Sequence, residues 1–486
     1  MKGRQGSLRW VSAGAAVVAG VSLCGCVTVG PDYHLPARAL ANAPAANGAL
    51  VGARDNPAVS DAPLPAHWWR LYDSPDLDRL VGEALTANTD LRVADANLQR
   101  SRALVALART QSQPKLGFEG GVERAQLSAE QYLFPGDLPE LTLYDVNLAA
   151  SYELDLFGRI KRGVEAAKAE DEAVEAARDW VRVSVVADVA KAYVDVCVTG
   201  NELAVAQRSL ELQRQSLAYT NRLREGGRAT DLDQARSRSL VYQLQATIPA
   251  VQTRRRNALF RLATLTGKPP SMFEADLERC VSAPAISQPI PVGDGAALLK
   301  RRPDVRAAER ELAAATAQIG VATAALYPRV VLGASIGSTG LTRDFLSRPT
   351  NDFAIGPSVT WELNQSPARA RISAAKAAQQ AQLARFDDVV LGALRDIEMS
   401  LNAYAHDLER EKNLTAARDE AKRALEDAGR LQSTGRAGAL ATLDAERTLE
   451  SAEASLAAVQ TQVAQDQIAV FLALGGGWQT DAQGQS

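Results

Sequence analysis

The sequence predicts a mixed α/β membrane protein with an internal duplication, in which three chains close one β-barrel above helices long enough to cross a periplasm. Three observations carry this expectation. Asp90 to Pro114 aligns without a gap on Asp304 to Pro328, 214 positions later, and Asp90/Asp304, Arg92/Arg306, Ala94/Ala308, Leu98/Leu312, Ala103/Ala317, Ala108/Ala322 and Pro114/Pro328 are identical. Each copy then runs into two short segments of alternating apolar and polar residues. Each continues into a helical pattern longer than a globular domain uses.

The start of the chain sets the compartment. Lys2, Arg4 and Arg9 precede an uncharged, small and apolar run from Val11 to Leu23, a secretory signal too short to span a membrane. Leu23-Cys24-Gly25-Cys26 resembles the bacterial lipoprotein box, which directs lipid to Cys26. Val27 follows where an inner-membrane retention signal would need Asp, so the outer membrane is expected. The acyl chains on one such cysteine suffice as an anchor. A chain starting at Cys26 loses three basic residues from 54 and keeps 57 acidic ones, moving net charge from -3 to about -6. That balance points to no nucleic-acid partner. Cys197 and Cys280 are left, a single optional pair expected to stay as thiols.

Residues 1–25 are thus the signal and 26–73, rich in Ala, Pro and Gly, an extended lipidated arm. The first repeat, 74–290, opens with an amphipathic helix from about Ser74 to Ser112 that Thr86, Asn88 and Thr89 break in two. Its strands are expected at about 115–127 and 143–156, where Leu116, Phe118, Gly120 and Val122, then Tyr144, Val146, Leu148, Ala150, Tyr152 and Leu154, alternate with polar or small residues. The second repeat, 291–478, has strands at about 329–340 and 352–364, the latter marked by Phe353, Ile355, Pro357, Val359, Trp361 and Leu363. Residues 479–486 form a tail. Strands of this length with one apolar face fit a barrel wall with lipid outside and water inside. Four strands alone leave open edges, which lipid does not tolerate. Two chains would close eight strands around a filled interior, whereas three close twelve around a lumen.

Helical hairpins are expected over about 159–266 and 368–474, regions almost free of proline. Val189, Val196, Leu203, Leu210 and Leu217 recur every seven residues, and Val390, Leu394, Ile397, Leu401, Tyr404 and Leu408 keep four-three spacing. Arg159 to Leu223 as one helix would be on the order of 100 Å long. Gly226-Gly227 and Thr434-Gly435 interrupt the two stretches and make the hairpin tips.

These residues resemble the TolC-like outer membrane efflux proteins of the lipoprotein (OprM/NodT-type) branch. The resemblance rests on Cys26-Val27-Thr28-Val29-Gly30-Pro31-Asp32-Tyr33, Trp68-Trp69, Tyr152-Glu153-Leu154-Asp155-Leu156-Phe157-Gly158-Arg159, Arg302-Pro303-Asp304-Val305, Tyr327-Pro328 and Leu474-Gly475-Gly476-Gly477-Trp478. It covers essentially the whole mature chain. It implies a homotrimer whose twelve-stranded barrel continues into a periplasmic α-helical barrel. It further implies a passive exit duct for drugs or other small toxic compounds, loaded by a periplasmic membrane-fusion adaptor and an inner-membrane pump of the resistance-nodulation-division (RND) type. By the same resemblance Leu440 and Asp444 form the gate, with Asp231 and Asp233 as weaker candidates. A ring of Asp444 side chains would favour cations. Ala441 stands where some members carry a second acid, and Asn364 to Arg369 replaces the family's Phe and Gly-rich turn. Gly227-Arg228-Ala229-Thr230 and Gly435-Arg436-Ala437-Gly438 match the turns presented to the adaptor.

No cofactor or metal is expected, and the chain is not read as an enzyme. Gly333-Ala334-Ser335-Ile336-Gly337 matches a hydrolase elbow but lies in an alternating strand. Ser373-Ala374-Ala375-Lys376 falls in an Ala-rich helix, and Gly267-Lys268 runs into two prolines. Two other functions fit part of the pattern: an outlet for type I protein secretion, and a structural coiled-coil lipoprotein with no pore.

Overall fold

The structure, a computed structural model, describes residues 28–478 apart from 55, 127, 131, 132, 134, 283, 285 and 287. Cys26 and the tail 479–486 lie outside the described residues. In chain order the main elements are β1 (Val59–Ser60), α1 (Pro75–Ala87), α2 (Thr89–Thr110), β2 (Lys115–Ala125), β3 (Leu141–Leu154), α3 (Arg159–Glu225) and α4 (Asp231–Leu265). The second half adds β4 (Ile290–Pro291), α5 (Gly295–Arg301), α6 (Pro303–Ala324), β5 (Arg329–Leu341), β6 (Asn351–Thr360), α7 (Ser366–Ser433) and α8 (Ala439–Ala473). The ends of α2 and α6 and the starts of β2 and β5 fall at the same 214-residue offset. The chain divides into two compact units, a sheet unit from 28–35, 99–173 and 308–385, and a helical unit from 36–98, 174–307 and 386–478.

In the sheet unit the strand order is β2-β3-β5-β6, every pair antiparallel. Among the described residues each of β2 and β6 therefore has one edge without a partner strand. Their apolar side chains stand in the open: Leu116, Phe118 and Val122 on β2 and Phe353, Ile355 and Val359 on β6 are all at least 65% exposed. Tyr144 departs from the expected uniform face. Its ring is buried against Phe345, and its hydroxyl meets Ser338 Oγ at 2.7 Å and Thr350 Oγ1 at 2.8 Å while accepting from the Leu346 amide. The 342–350 connection thus folds over the end of the apolar face, because a phenol on β3 offers its loose backbone a polar anchor.

The motif that follows β3 is built to start α3. Asp155 accepts from the amides of Ile160 and Lys161, satisfying two donors that a helix start leaves unpaired, and Glu153 meets both Arg159 and Arg329. Val29 to Tyr33 is pinned to the same unit. Arg162 donates to the Val29 and Gly30 carbonyls and pairs with Asp32 at 2.7 Å, while Tyr33 donates to Glu309. Gly30 lies so close to Gly320 that a Cβ would sit 2.4 Å from its Cα. Only glycine permits that approach.

The helical unit holds the largest core. Val189, Val196 and Leu210 of the α3 heptads and Val390, Ile397, Leu401 and Tyr404 of α7 are buried. Trp68 stacks on Phe471 at 4.4 Å, and Gly476 and Gly477 leave room for its indole. Trp478 donates to the Arg301 carbonyl and lies under the Arg306 guanidinium. The break between α1 and α2 is at Asn88, whose Oδ1 caps α2 through the Asp90 and Leu91 amides and whose Nδ2 donates to the Leu265 carbonyl at the end of α4. Arg302 occupies the matching position before α6: buried, it donates to the Ala473 carbonyl at the end of α8 and pairs with Asp304. Each repeat therefore ties the start of its second helix to the end of its own returning helix.

Two expectations are corrected. Residues 36–73 are not simply extended: helical turns form at Leu40–Asn42, Pro44–Asn47, Val51–Ala53 and Trp68–Tyr72, and β1 pairs in parallel with β4. Carboxylates of α7 supply the reason, since Asp387 accepts the Leu40 amide and Glu398 the amides of Val51 and Gly52. Cys197 and Cys280 are not thiols but a disulfide with Cα atoms 4.7 Å apart. The segment after α4 folds back along α3 far enough to bring the two together.

Candidate functional site

The two hairpin tips share one backbone design. Helix α3 ends with the Gly227 amide bonded to the Arg224 carbonyl and the Arg228 amide to the Leu223 carbonyl. Helix α7 ends identically, Gly435 to Gln432 and Arg436 to Leu431. These paired bonds are the Schellman closure, which needs a left-handed residue just past the helix, and Gly227 and Gly435 supply it at φ +67° and +72°. Arg228 and Arg436 close the motif through their amides, and both residues are exposed.

The tips differ in how the returning helix begins. Thr230 caps α4: its hydroxyl accepts the Asp233 amide, and the Asp233 carboxylate accepts from the Thr230 amide and hydroxyl at 2.9 and 2.7 Å. Those bonds hold the Asp233 carboxyl below its usual range. Asp231 is exposed and pairs with Arg224 at 3.2 Å. Gly438 starts α8 without a side-chain cap. Leu440 is 54% exposed two residues into α8, and Asp444 is exposed one turn further on. The structure thus brings Leu440 and Asp444 to one end of α8, and Asp231 and Asp233 to the matching end of α4. Asp233 is engaged by its own helix start.

Sequence reading passed over two positions. At the 208-residue offset between the returning helices, Leu232 matches Leu440 and is 57% exposed, so both tips present a leucine. Arg236 matches Asp444, so equivalent places carry opposite charge. Superposing the tips on Gly-Arg-Ala would have exposed both pairs. Ser335 of the hydrolase-like motif lies within β5, and Ser373 and Lys376 lie within α7. Among the described residues no group of three His, Cys, Asp or Glu could hold a metal, and no helix is long and apolar enough to cross a membrane.

The sequence profile of the outer membrane efflux protein family matches residues 80–268 and 296–476, one span in each repeat. The chain belongs to the outer membrane efflux protein family. It is therefore an outer membrane transport protein reaching into the periplasm, and the family's members are channels. The solvent efflux pump outer membrane protein SrpC of Pseudomonas putida is 32% identical over 466 residues, covering 94% of this chain and 96% of that one. The pyoverdine export outer membrane protein OpmQ of the same species is 30% identical, covering 85% and 89%. Among solved structures, the outer-membrane channel OprN superposes with a TM-score of 0.85 at 34% identity, covering 93% of this chain and all of that one. The open-state MtrE outer membrane channel of Neisseria gonorrhoeae gives 0.81 at 29% identity, covering 94% of this chain and all of that one. In this outer membrane efflux protein the duplicated family match coincides with the duplicated hairpins.

Proposed function

We propose that this protein is the exit duct of a tripartite efflux pump. Three chains, each lipidated at Cys26, close a twelve-stranded barrel in the outer membrane and a helical tunnel below it. A periplasmic membrane-fusion adaptor seats on the two tips, through Gly227 to Thr230 and Gly435 to Gly438, and an inner-membrane RND pump loads the tube. Passage through the tube is passive, since a channel has no reacting atoms to supply energy.

The observation that carries this reading is the four-stranded sheet with two unpartnered edges and an exposed apolar face. Such a sheet is stable in lipid only when copies complete it. Small molecules are the cargo best supported, because relatives are named for pyoverdine export and for solvent and toluene efflux. The tip of α8 is the proposed gate: three Leu440 side chains around a narrow axis would exclude water, and three Asp444 carboxylates would hold cations.

Planar-bilayer recordings of the purified protein test the gate. Asp444→Ala is expected to raise single-channel conductance or lower cation preference; unchanged traces would remove Asp444 from the constriction. Silence of both wild type and variant would leave a lipoprotein that conducts nothing.

A further inference from the structure

A cavity of about 590 Å³ opens in the sheet unit, where α2 ends and α3 begins. Ile160, Val164 and Ala169 of α3 form its apolar wall. Arg109 of α2 and Lys161 and Lys168 of α3 also line it, and all three are exposed. Each acid in the lining is already engaged: Asp155 by the amides that start α3, Glu165 by Arg162 at 2.8 Å, and Glu172 by Arg310 at 3.3 Å. Asp32, next to the lining residue Tyr33, pairs with Arg162. Among the described residues Arg109 and Lys168 meet no acid or other acceptor, and Lys161 Nζ hydrogen-bonds only the Thr28 hydroxyl, at 3.2 Å. Three cations therefore share one hollow without a paired counter-ion.

Two observations independent of these charges put the hollow at the membrane surface. The first is the start of the chain. Thr28 packs on Gly158, where a Cβ would sit 2.7 Å from the threonine Cγ2, and the Val29 amide donates to the Phe157 carbonyl. Cys26 precedes Thr28 by two residues, so its Cα lies within about 7 Å of that of Thr28. Acyl chains on Cys26 must enter lipid from there. The second is an aromatic cluster at the same end of the sheet. Tyr152 near the end of β3, Tyr327 just before β5 and Trp361 just after β6 are 37%, 40% and 49% exposed, and Tyr327 stacks on Phe157 at 4.4 Å. Tyrosine and tryptophan so placed mark the headgroup level of a barrel.

We propose that the hollow between Arg109, Lys161 and Lys168 docks the phosphate of an anionic phospholipid from the leaflet facing the periplasm, beside the chain's own lipid. The phosphate oxygens accept from the two ammonium groups and the guanidinium, and the glycerol end of the tails lies along Ile160 and Val164. A basic patch next to an acyl anchor supplies the second contact that stable membrane attachment needs. The inference rests on the lipidated, barrel-inserted reading above and does not depend on the gate.

The test uses the full-length protein, purified in detergent and washed free of lipid, in native mass spectrometry with dioleoyl phosphatidylglycerol. Dioleoyl phosphatidylcholine, with the same tails and no net charge, is the control. Saturable binding of phosphatidylglycerol is expected, with phosphatidylcholine about tenfold weaker. Arg109→Gln, Lys161→Gln and Lys168→Gln should each weaken it about fivefold, and the triple variant about a hundredfold. Because these residues are exposed, the variants should keep the wild-type melt, which circular dichroism checks. Equal phosphatidylglycerol binding by wild type and the triple variant overturns the proposal, as does equal binding of the two lipids. Displacement of the lipid by millimolar inorganic phosphate would show an ion site only, and loss of the trimer in the triple variant would give these bases to a contact between chains; either result overturns it. The intact mass of the same sample reports on Cys26 separately. An acylated chain without saturable binding refutes the docking site alone, whereas an unacylated chain that binds through these bases refutes the anchor alone.

Discussion

Glu450 is half-buried on α8 with Glu446 one turn before it and Glu453 just after it, so ionising it places charge in a poorly solvated space already negative. Its pKa in the folded chain, about 7, stands above its ordinary value of 4.5. Between these values the folded chain binds the proton and the unfolded chain does not. Stability from this residue is therefore present at low pH and is lost as pH rises from about 4.5 to about 7. Arg447 nearby moderates the effect without pairing Glu450. Melting temperature should fall over that interval, and Glu450→Gln should flatten the slope; an unchanged slope in the variant would place the titration elsewhere. Nothing in the residue order announces this. Glu446, Glu450 and Glu453 read as an ordinary solvated helix face, and only the approach of α3 and α7 desolvates them. By contrast, Arg302, Trp68 and Gly477 were visible as motif letters, but their work of holding carbonyls and one indole depends on partners more than a hundred residues away.

At the scale of elements, helices and strands were legible because their periods differ. Seven-residue spacing marked α3 and α7, two-residue alternation marked β2, β3, β5 and β6, and glycine marked the tips. The break at Asn88 was legible too, as a cap-forming side chain in a helical run. The arm before α1 was not, since its turns form on carboxylates from α7 that local composition cannot reveal. The Cys197–Cys280 bond escaped for the same reason: 83 residues separate the cysteines, and spacing of that size carries no pairing signal. The bond fastens the segment after α4 to the middle of α3. Replacing both cysteines by Ala should destabilise the helical unit by about 2–4 kcal/mol. Calorimetry and limited proteolysis at 267–291 provide the check; an unchanged melt would mean that the thiols do not pair.

At the scale of the whole molecule, the sheet decides what the chain needs. Leu116, Phe118, Phe353 and Ile355 cannot face water as a group, and β2 and β6 cannot end in lipid. Phe118→Arg and Phe353→Arg should each cost about 2–4 kcal/mol if these positions lie near the bilayer midplane. Reduced recovery from the outer-membrane fraction is the expected result, with Glu119→Gln on the other face nearly neutral. Size-exclusion chromatography with light scattering should give three chains per particle; a monomer would remove the shared barrel.

The sequence by itself determined the duplication and the kinds and order of the long helices and the four sheet strands, because each is written in local period or direct repetition. It also implied that one chain is incomplete, since four strands do not close a barrel. The tertiary structure alone decided which carbonyls Asn88 and Arg302 hold, that Cys197 meets Cys280, that Asp233 is taken up by its helix start, and that Glu450 is half-buried beside Glu446. These are meetings between distant segments. Their energies depend on desolvation and on distances of a few ångströms, and neither exists until the helices have packed.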